Sequence, residues 1–277
     1  MNRPLPMKIS VIVTTYNWSN ALRVVLDALV AQKTTHPFEI IVADDGSGTE
    51  TAEVIRNLKN RVSIPILHIW HTNEGFRAAA IRNKAILAAE GDYIIFLDGD
   101  CIPRLNFITR HLELLEARTF IVGNRVLLSR AFTISALAEM LPLHRWPLWR
   151  WFMAYFKGYC NRVLPFLTQP FMRLRLKTRS RWKGAKGCNL GIWKQDLLNI
   201  NGWEENFTGW GYEDSDLVIR LLRSGVQRKN GRFYIPVIHL WHPENDRSQE
   251  RRNWAKLKAT ETDKQINAEK GLSQYAN

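Results

Sequence analysis

Asp98 and Asp100 flank one glycine at the end of the apolar run Tyr93 to Leu97. Two carboxylates one residue apart in an extended turn can face the same way. Together they can meet a hard divalent cation and the polar groups of a nucleotide. Mg²⁺ or Mn²⁺ at such a place neutralises the charge that develops on a departing diphosphate. An ordinary solvated turn looks the same in isolation; the buried-strand pattern before it argues for the ion. A second acidic pair, Asp44-Asp45, precedes Gly46-Ser47. It could accept hydrogen bonds from a base N–H or a ribose hydroxyl, although Asp and Ser also serve turns and helix N-caps.

The run Gly209-Trp-Gly-Tyr-Glu-Asp-Ser-Asp216 opens a predicted helix with three carboxylates in four positions. Acidic residues are favoured there by the helix dipole alone. A Trp between two glycines is not a capping device, however. Trp210 and Gly211 suggest backbone held close to a ligand, with an aromatic face for a sugar ring. Asp214 or Glu213 beside it could deprotonate an acceptor hydroxyl. Last comes His239-Leu-Trp-His-Pro243 at a strand end. A neutral imidazole is a good ligand for Mn²⁺ beside carboxylates, and either His239 or His242 could supply it.

These groups need a scaffold that brings strand ends together. Ile9–Thr14, Glu39–Ala43, Ile64–Trp70 and Tyr93–Leu97 read as buried strands, with helices between them. Leu22, Val25, Leu26 and Leu29 recur on one helical face. The alternation predicts an α/β fold with a mostly parallel central sheet flanked by helices, and ligands at the carboxyl ends of its strands. A strand over 187–192, a turn at Asn201-Gly202, a helix from about Asp214 to Arg223 and a strand at Phe233–Leu240 follow. The tail from Arg247 reads as helical at first and then frayed.

Composition is that of a globular protein, with 45% hydrophobic and 23% charged residues. The three cysteines are too few and scattered for a disulfide framework and fit a reducing compartment. No stretch has the length of a spanning helix or a signal-peptide core. The expectation is a cytoplasmic protein, peripheral at the inner face of the cytoplasmic membrane. The net charge of +13 belongs almost wholly to the window from Met140 to Gln195, which holds twelve basic residues and no Asp or Glu. Within it, Trp146, Trp149, Trp151, Phe152, Tyr155, Phe156 and Tyr159 crowd together. Every odd position from Arg173 to Lys183 is basic. Aromatic and cationic residues together suit an anionic membrane surface.

Taken in order, these motifs resemble family 2 glycosyltransferases of the GT-A fold over roughly residues 7 to 246. The carrying residues are Ser10-Val-Ile-Val-Thr-Thr-Tyr-Asn17, Ala43-Asp-Asp-Gly-Ser47, Asn73-Glu-Gly75 with Arg82-Asn83, Asp98-Gly-Asp100 and Gly209-Trp-Gly-Tyr-Glu-Asp214. The last resembles the galactosyltransferase-type segment. The resemblance implies a single domain over 1–246: a nucleotide-binding half (7–128), a helical aromatic and basic insertion (129–183) and an acceptor half (184–246). A helical tail covers 247–277.

The resemblance also implies roles. Thr14, Tyr16 and Asn17 would line the nucleotide pocket, Asp44 or Asp45 would bind the base, and Gly75 and Arg82 would belong to the donor side. Asp98 would hold the ribose or a metal-bound water, and Asp100 would ligate Mn²⁺ or Mg²⁺ with His239 or His242. Asp214 would be the general base, with Glu213, Trp210 and Gly211 at the acceptor. The expected activity is inverting transfer from a nucleotide-sugar, UDP-linked, to a glycan or glycolipid of lipopolysaccharide core, O-antigen or capsule. The competing classes are a non-catalytic basic membrane-surface module and a nucleic-acid-binding protein. Confinement of the charge to one segment argues against nucleic acid.

Overall fold

The computed structural model describes residues 7–167, 177–178 and 181–275. In chain order the elements are β1 (Ile9–Thr15), α1 (Ser19–Val30), β2 (Phe38–Asp44), α2 (Thr49–Lys59), β3 (Ile66–Trp70), α3 (Ala78–Ala88), β4 (Tyr93–Asp98), β5 (Cys101–Pro103), α4 (Phe107–Leu114), β6 (Thr119–Val122) and β7 (Asn124–Leu127). They continue with α5 (Arg130–Ala138), α6 (Leu148–Phe156), β8 (Lys177–Thr178), β9 (Asn189–Trp193), α7 (Lys194–Asn199), α8 (Glu213–Arg223), β10 (Gln227–Asn230), β11 (Pro236–His239) and α9 (Glu250–Thr262).

The main sheet runs β3-β2-β1-β4-β9-β6-β10-β8. β3, β2, β1 and β4 are mutually parallel, and β9 enters antiparallel between β4 and β6. The continuous apolar runs have a simple cause: both faces are covered. Val11, Val13 and Ile95 face one core cluster, while Ile12, Ile94 and Phe96 face another. All four α1 positions named above are fully buried.

Register then does the positioning. Thr14 is opposite Asp98, and Thr15 is opposite Asp44, so the ends of β1, β2 and β4 lie abreast. A small sheet, β5-β11-β7, pairs His239 with Cys101. The Leu240 amide donates to the Asp100 carbonyl at 2.9 Å. Residues 140 apart in sequence are thereby locked at the strand mouth.

Three expectations are corrected. The strand proposed over Phe233–Leu240 begins only at Pro236, because Phe233 is in the left-handed region (φ 60°). The tail does not fray after α9. Ala268 and Leu272 are buried, and Asn201 binds the Ala268 carbonyl and the Leu272 amide at 2.8 and 3.0 Å. The aromatic insertion is partly core: Trp151 is fully buried, 5.2 Å from Trp146 and 4.6 Å from Phe166 between ring centres. Arg173, Arg175 and Arg179, whose alternation was singled out, lie outside the described residues. Among the described residues no helix is long and apolar enough to cross a membrane.

Candidate active site

Two groups of side chains meet beyond the strand ends. The first is built on Arg82 of α3. Its Nε donates to Thr14 Oγ1 at 3.1 Å, its Nη2 to Asp98 Oδ1 at 3.2 Å and its Nη1 to Glu213 Oε1 at 3.4 Å. The guanidinium also lies 4.6 Å from the Trp203 ring. Burial alone would pull this cation's pKa down, but Asp98, Glu213 and Asp214 more than offset it, and Arg82 stays charged. Asp214 accepts from the Gly187 amide at 3.3 Å. Burial and then the neighbouring Asp214 push Glu213 up to about 7, against the pull of Arg82.

The second group is Asp100, His239 and His242. Asp100 Oδ2 is 3.7 Å from His239 Nε2 and 3.3 Å from His242 Nε2, and one ligand atom from each residue lies within 4.8 Å of the others. Burial, followed by the charge of Asp98, raises Asp100 to about 6. Burial, then Arg125 and His242, lowers His239 to about 3, so its imidazole is neutral with a free lone pair. His242 Nδ1 is 2.6 Å from the Pro243 carbonyl, which fixes the ring with Nε2 towards Asp100. One carboxylate and two imidazoles with ligand atoms this close fit a divalent ion. His239 and His242 both bring a ring nitrogen to the Asp100 carboxylate.

The structure does not bring Asp98 into that cluster; its carboxylate accepts from Arg82 instead. Asp98 does lie near Cys101 and Cys188, with donor atoms within 4.8 Å. Burial and the hydrogen bond to Cys188 raise the Cys101 thiol well above its usual value, and its Sγ lies 3.2 Å from Asp100 Oδ1. These thiols brace the aspartate and do not suit a hard cation.

The remaining expected residues lie on the loops that follow β1, β2 and β3. Asn17, in a left-handed conformation, receives Gly48 N on Oδ1 and donates its own amide to Ser47 Oγ, both at 2.9 Å. Tyr16 is half exposed, its hydroxyl bound by Asn73 Nδ2 at 2.9 Å. Gly75 closes a turn on Asn73 Oδ1. A Cβ on Gly46 would stand 2.6 Å from the Asn73 backbone, so the two loops touch only because that residue is glycine.

Asp44 departs from the role expected of it. It is 0% exposed, and its oxygens receive the Ser47 amide at 2.8 Å and His68 Nε2 at 2.9 Å. Asp45 is nearly as buried, between His71 Nε2 at 2.6 Å and the Arg77 amide at 2.8 Å, and burial raises its pKa. Asp44 holds the loop shape from inside, leaving Asp45 as the only one of the pair with any exposed edge. Trp210 and Gly211 sit in the loop entering α8, under the guanidinium of Arg247, 5.0 Å from the Trp210 ring.

Sequence reasoning missed Arg125 of β7, a half-buried cation whose charge acts on Asp98, Asp100 and His239. It also missed His68, His71 and the contribution of α9. A lone arginine on a short strand carries no signal in one sequence.

The model for the family described as "Glycosyl transferase family 2" matches residues 10–175, and a second, the "N-terminal domain of galactosyltransferase", matches residues 172–242. The chain belongs to glycosyltransferase family 2. It is 27% identical over 237 residues to the chondroitin synthase of Escherichia coli, covering 78% of this chain and 32% of that protein. The chain spans about a third or less of the length of the chondroitin and hyaluronan synthases it matches. Among solved structures, S. aureus TarS in complex with UDP aligns over 97% of this chain and 68% of its own, with TM-score 0.60 and 15% identity. A mannosyltransferase from Pyrobaculum calidifontis in complex with GDP-Man and Mn²⁺ aligns over 92% and 65%, with TM-score 0.60 and 14% identity. These likenesses show the GT-A fold.

Proposed function

We propose that the protein is an inverting, metal-dependent glycosyltransferase. It moves a sugar from UDP to a hydroxyl of a bacterial surface glycan or glycolipid, such as lipopolysaccharide core, O-antigen or capsule. The observation that carries this reading is the convergence of Asp100, His239 and His242, with the adjacent Asp98 tied through Arg82 to Glu213. Asp100, His239 and His242 would hold the ion, and the mixed oxygen and nitrogen set favours Mn²⁺ over Mg²⁺. Bound there, the ion would neutralise charge on the leaving diphosphate.

The chain's own groups do the rest. Asp214 takes the proton from the acceptor hydroxyl as its oxygen bonds to the anomeric carbon and the bond to the diphosphate breaks. Displacement from the opposite face inverts the configuration and needs no enzyme nucleophile. Arg82 sets the distance between the donor side, at Asp98, and the acceptor side, at Glu213. The test is UDP release from a panel of UDP-sugars with Mn²⁺ and simple glycan acceptors. Turnover with at least one pair, lost in Asp214→Asn, supports the reading; turnover untouched by that change contradicts it.

The same proposal places the protein at the cytoplasmic face of an anionic membrane. Trp149, Met153 and Phe156 follow at i, i+4 and i+7 on α6 and are exposed, Phe156 by 82%, while Trp151 and Ala154 turn into the core. Arg150 and Lys157 flank this apolar edge. The arrangement supports interfacial seating by α6, with Trp146 and Trp151 serving the core instead.

A further inference from the structure

The segment after His242 lies beyond both family matches, yet α9 is bolted to the loop that carries the proposed base. Asn253, fully buried, donates through Nδ2 to the carbonyls of Thr208 at 3.1 Å and Trp210 at 3.4 Å. Thr260 Oγ1 donates to Asp216 Oδ1 at 2.8 Å. The first turn of α9 is thus tied to the loop before Asp214, and its last turn to Asp216, two residues after it.

Between them lies an open cleft of about 400 Å³, lined by Tyr212, Arg247, Glu250, Arg251 and Trp254. That volume suits one or two sugar rings. The Tyr212 and Trp254 rings stand 5.1 Å apart at 54°, and Trp254 is 40% exposed without a ligand. Tyr212 is itself held in the left-handed region (φ 71°), which turns its ring towards α9, and its hydroxyl donates to Glu250 at 3.4 Å. An exposed Trp254 beside the half-buried Tyr212 is the kind of surface on which the C–H face of a pyranose packs. The charges are unequal. Arg247 is shared between Glu244 and Glu250, at 3.2 and 3.9 Å. Arg251 is exposed and has no ion pair among the described residues. One guanidinium is left free to grip a planar or tetrahedral anion with two hydrogen bonds.

We propose that this cleft is an acceptor subsite for an anionic sugar residue, one bearing a carboxylate or a phosphate, seated on Tyr212 and Trp254 with its charge on Arg251. The proposal rests on the glycosyltransferase reading and extends it to acceptor class. The cleft adjoins the proposed base through Tyr212, which directly precedes Glu213 and Asp214.

Saturation-transfer NMR on the full chain with Mn²⁺ and UDP tests it. The probes are methyl β-glucuronide, glucose 6-phosphate and methyl β-glucoside, against wild type, Arg251→Ala and Trp254→Ala. At least one anionic probe is expected to bind about tenfold more tightly than the neutral glucoside, and which one does so tells carboxylate from phosphate. Arg251→Ala should erase that preference, and Trp254→Ala should weaken all three probes. Equal binding of the charged and neutral probes, or unchanged preference in Arg251→Ala, overturns the proposal. UDP binding in the same samples separates the two readings. Intact UDP binding without anion preference refutes the subsite alone, whereas absence of UDP binding in wild type refutes the donor assignment beneath it.

Discussion

Arg82 and Asp98 are joined by a 3.2 Å contact across the end of β4, and the same guanidinium reaches Glu213, 131 residues further along the chain. A buried cation thus fixes the spacing of the Asp98 and Glu213 carboxylates. Arg82→Lys keeps the charge but loses the fork that spans three partners. Displacement of about 1 Å at such a site costs on the order of 10²-fold in rate. We expect kcat to fall by about that factor, with a smaller change in UDP affinity, read by steady-state kinetics and calorimetry.

Asp214→Asn should leave UDP affinity unchanged and lower transfer by roughly 10²–10⁴-fold, the usual worth of a positioned base. Single-turnover rates at saturating donor are the measurement. A variant within threefold of wild type would move the role to Glu213.

Asp44→Asn should act on stability and not on the nucleotide. Its oxygens serve Ser47 and His68 inside the protein, and a buried acceptor so disturbed costs about 1–3 kcal/mol. Thermal melts should shift down while UDP affinity, measured well below the transition, stays within a factor of two.

Glu213 offers a pH signature. Its folded pKa, about 7, lies above the usual 4.5, so the folded state holds the proton more tightly than the unfolded chain. Its contribution is therefore fully present below about pH 4.5 and is lost as pH rises through about 7. Glu213→Gln removes this dependence. The variant's melting temperature should gain on wild type between pH 5 and pH 8, without ligand; an unchanged difference would contradict the burial argument.

Much of this was legible in the sequence. The strands β1, β2 and β4 announce themselves because both faces are covered, so the apolar runs are unbroken. Asp98-Gly-Asp100 and Glu213-Asp214 were legible as chemistry because each follows a strand or opens a helix. What could not be read was the division of labour between neighbours. Asp98 and Asp100 point to different partners, a matter of the turn at Gly99. Asp44 faces inward where the motif suggested a ligand. Trp151 and Phe156, five residues apart, fall on opposite sides of one short helix, and a segment so rich in aromatics hides that periodicity. Nor does composition reveal that Asn253 ties α9 to the Trp210 loop.

The outward edge of α6 gives the membrane test. Each basic residue near an anionic surface contributes about 1 kcal/mol, screened by salt, and exposed aromatics add burial among the headgroups. Trp149→Ser with Phe156→Ser should abolish sedimentation with anionic vesicles at low salt while leaving UDP binding intact. Wild-type protein that stays in the supernatant under those conditions would contradict the seating.

The central claim is that Asp100, His239 and His242 together hold a divalent ion that receives the diphosphate. Calorimetric titration of UDP with Mn²⁺ and with EDTA tests it most directly, on wild type, Asp100→Ala and His242→Ala. The account predicts tight binding only with Mn²⁺ in the wild type, and weak, metal-indifferent binding in both variants. Equal UDP affinity in EDTA and Mn²⁺ for the wild-type protein would contradict it.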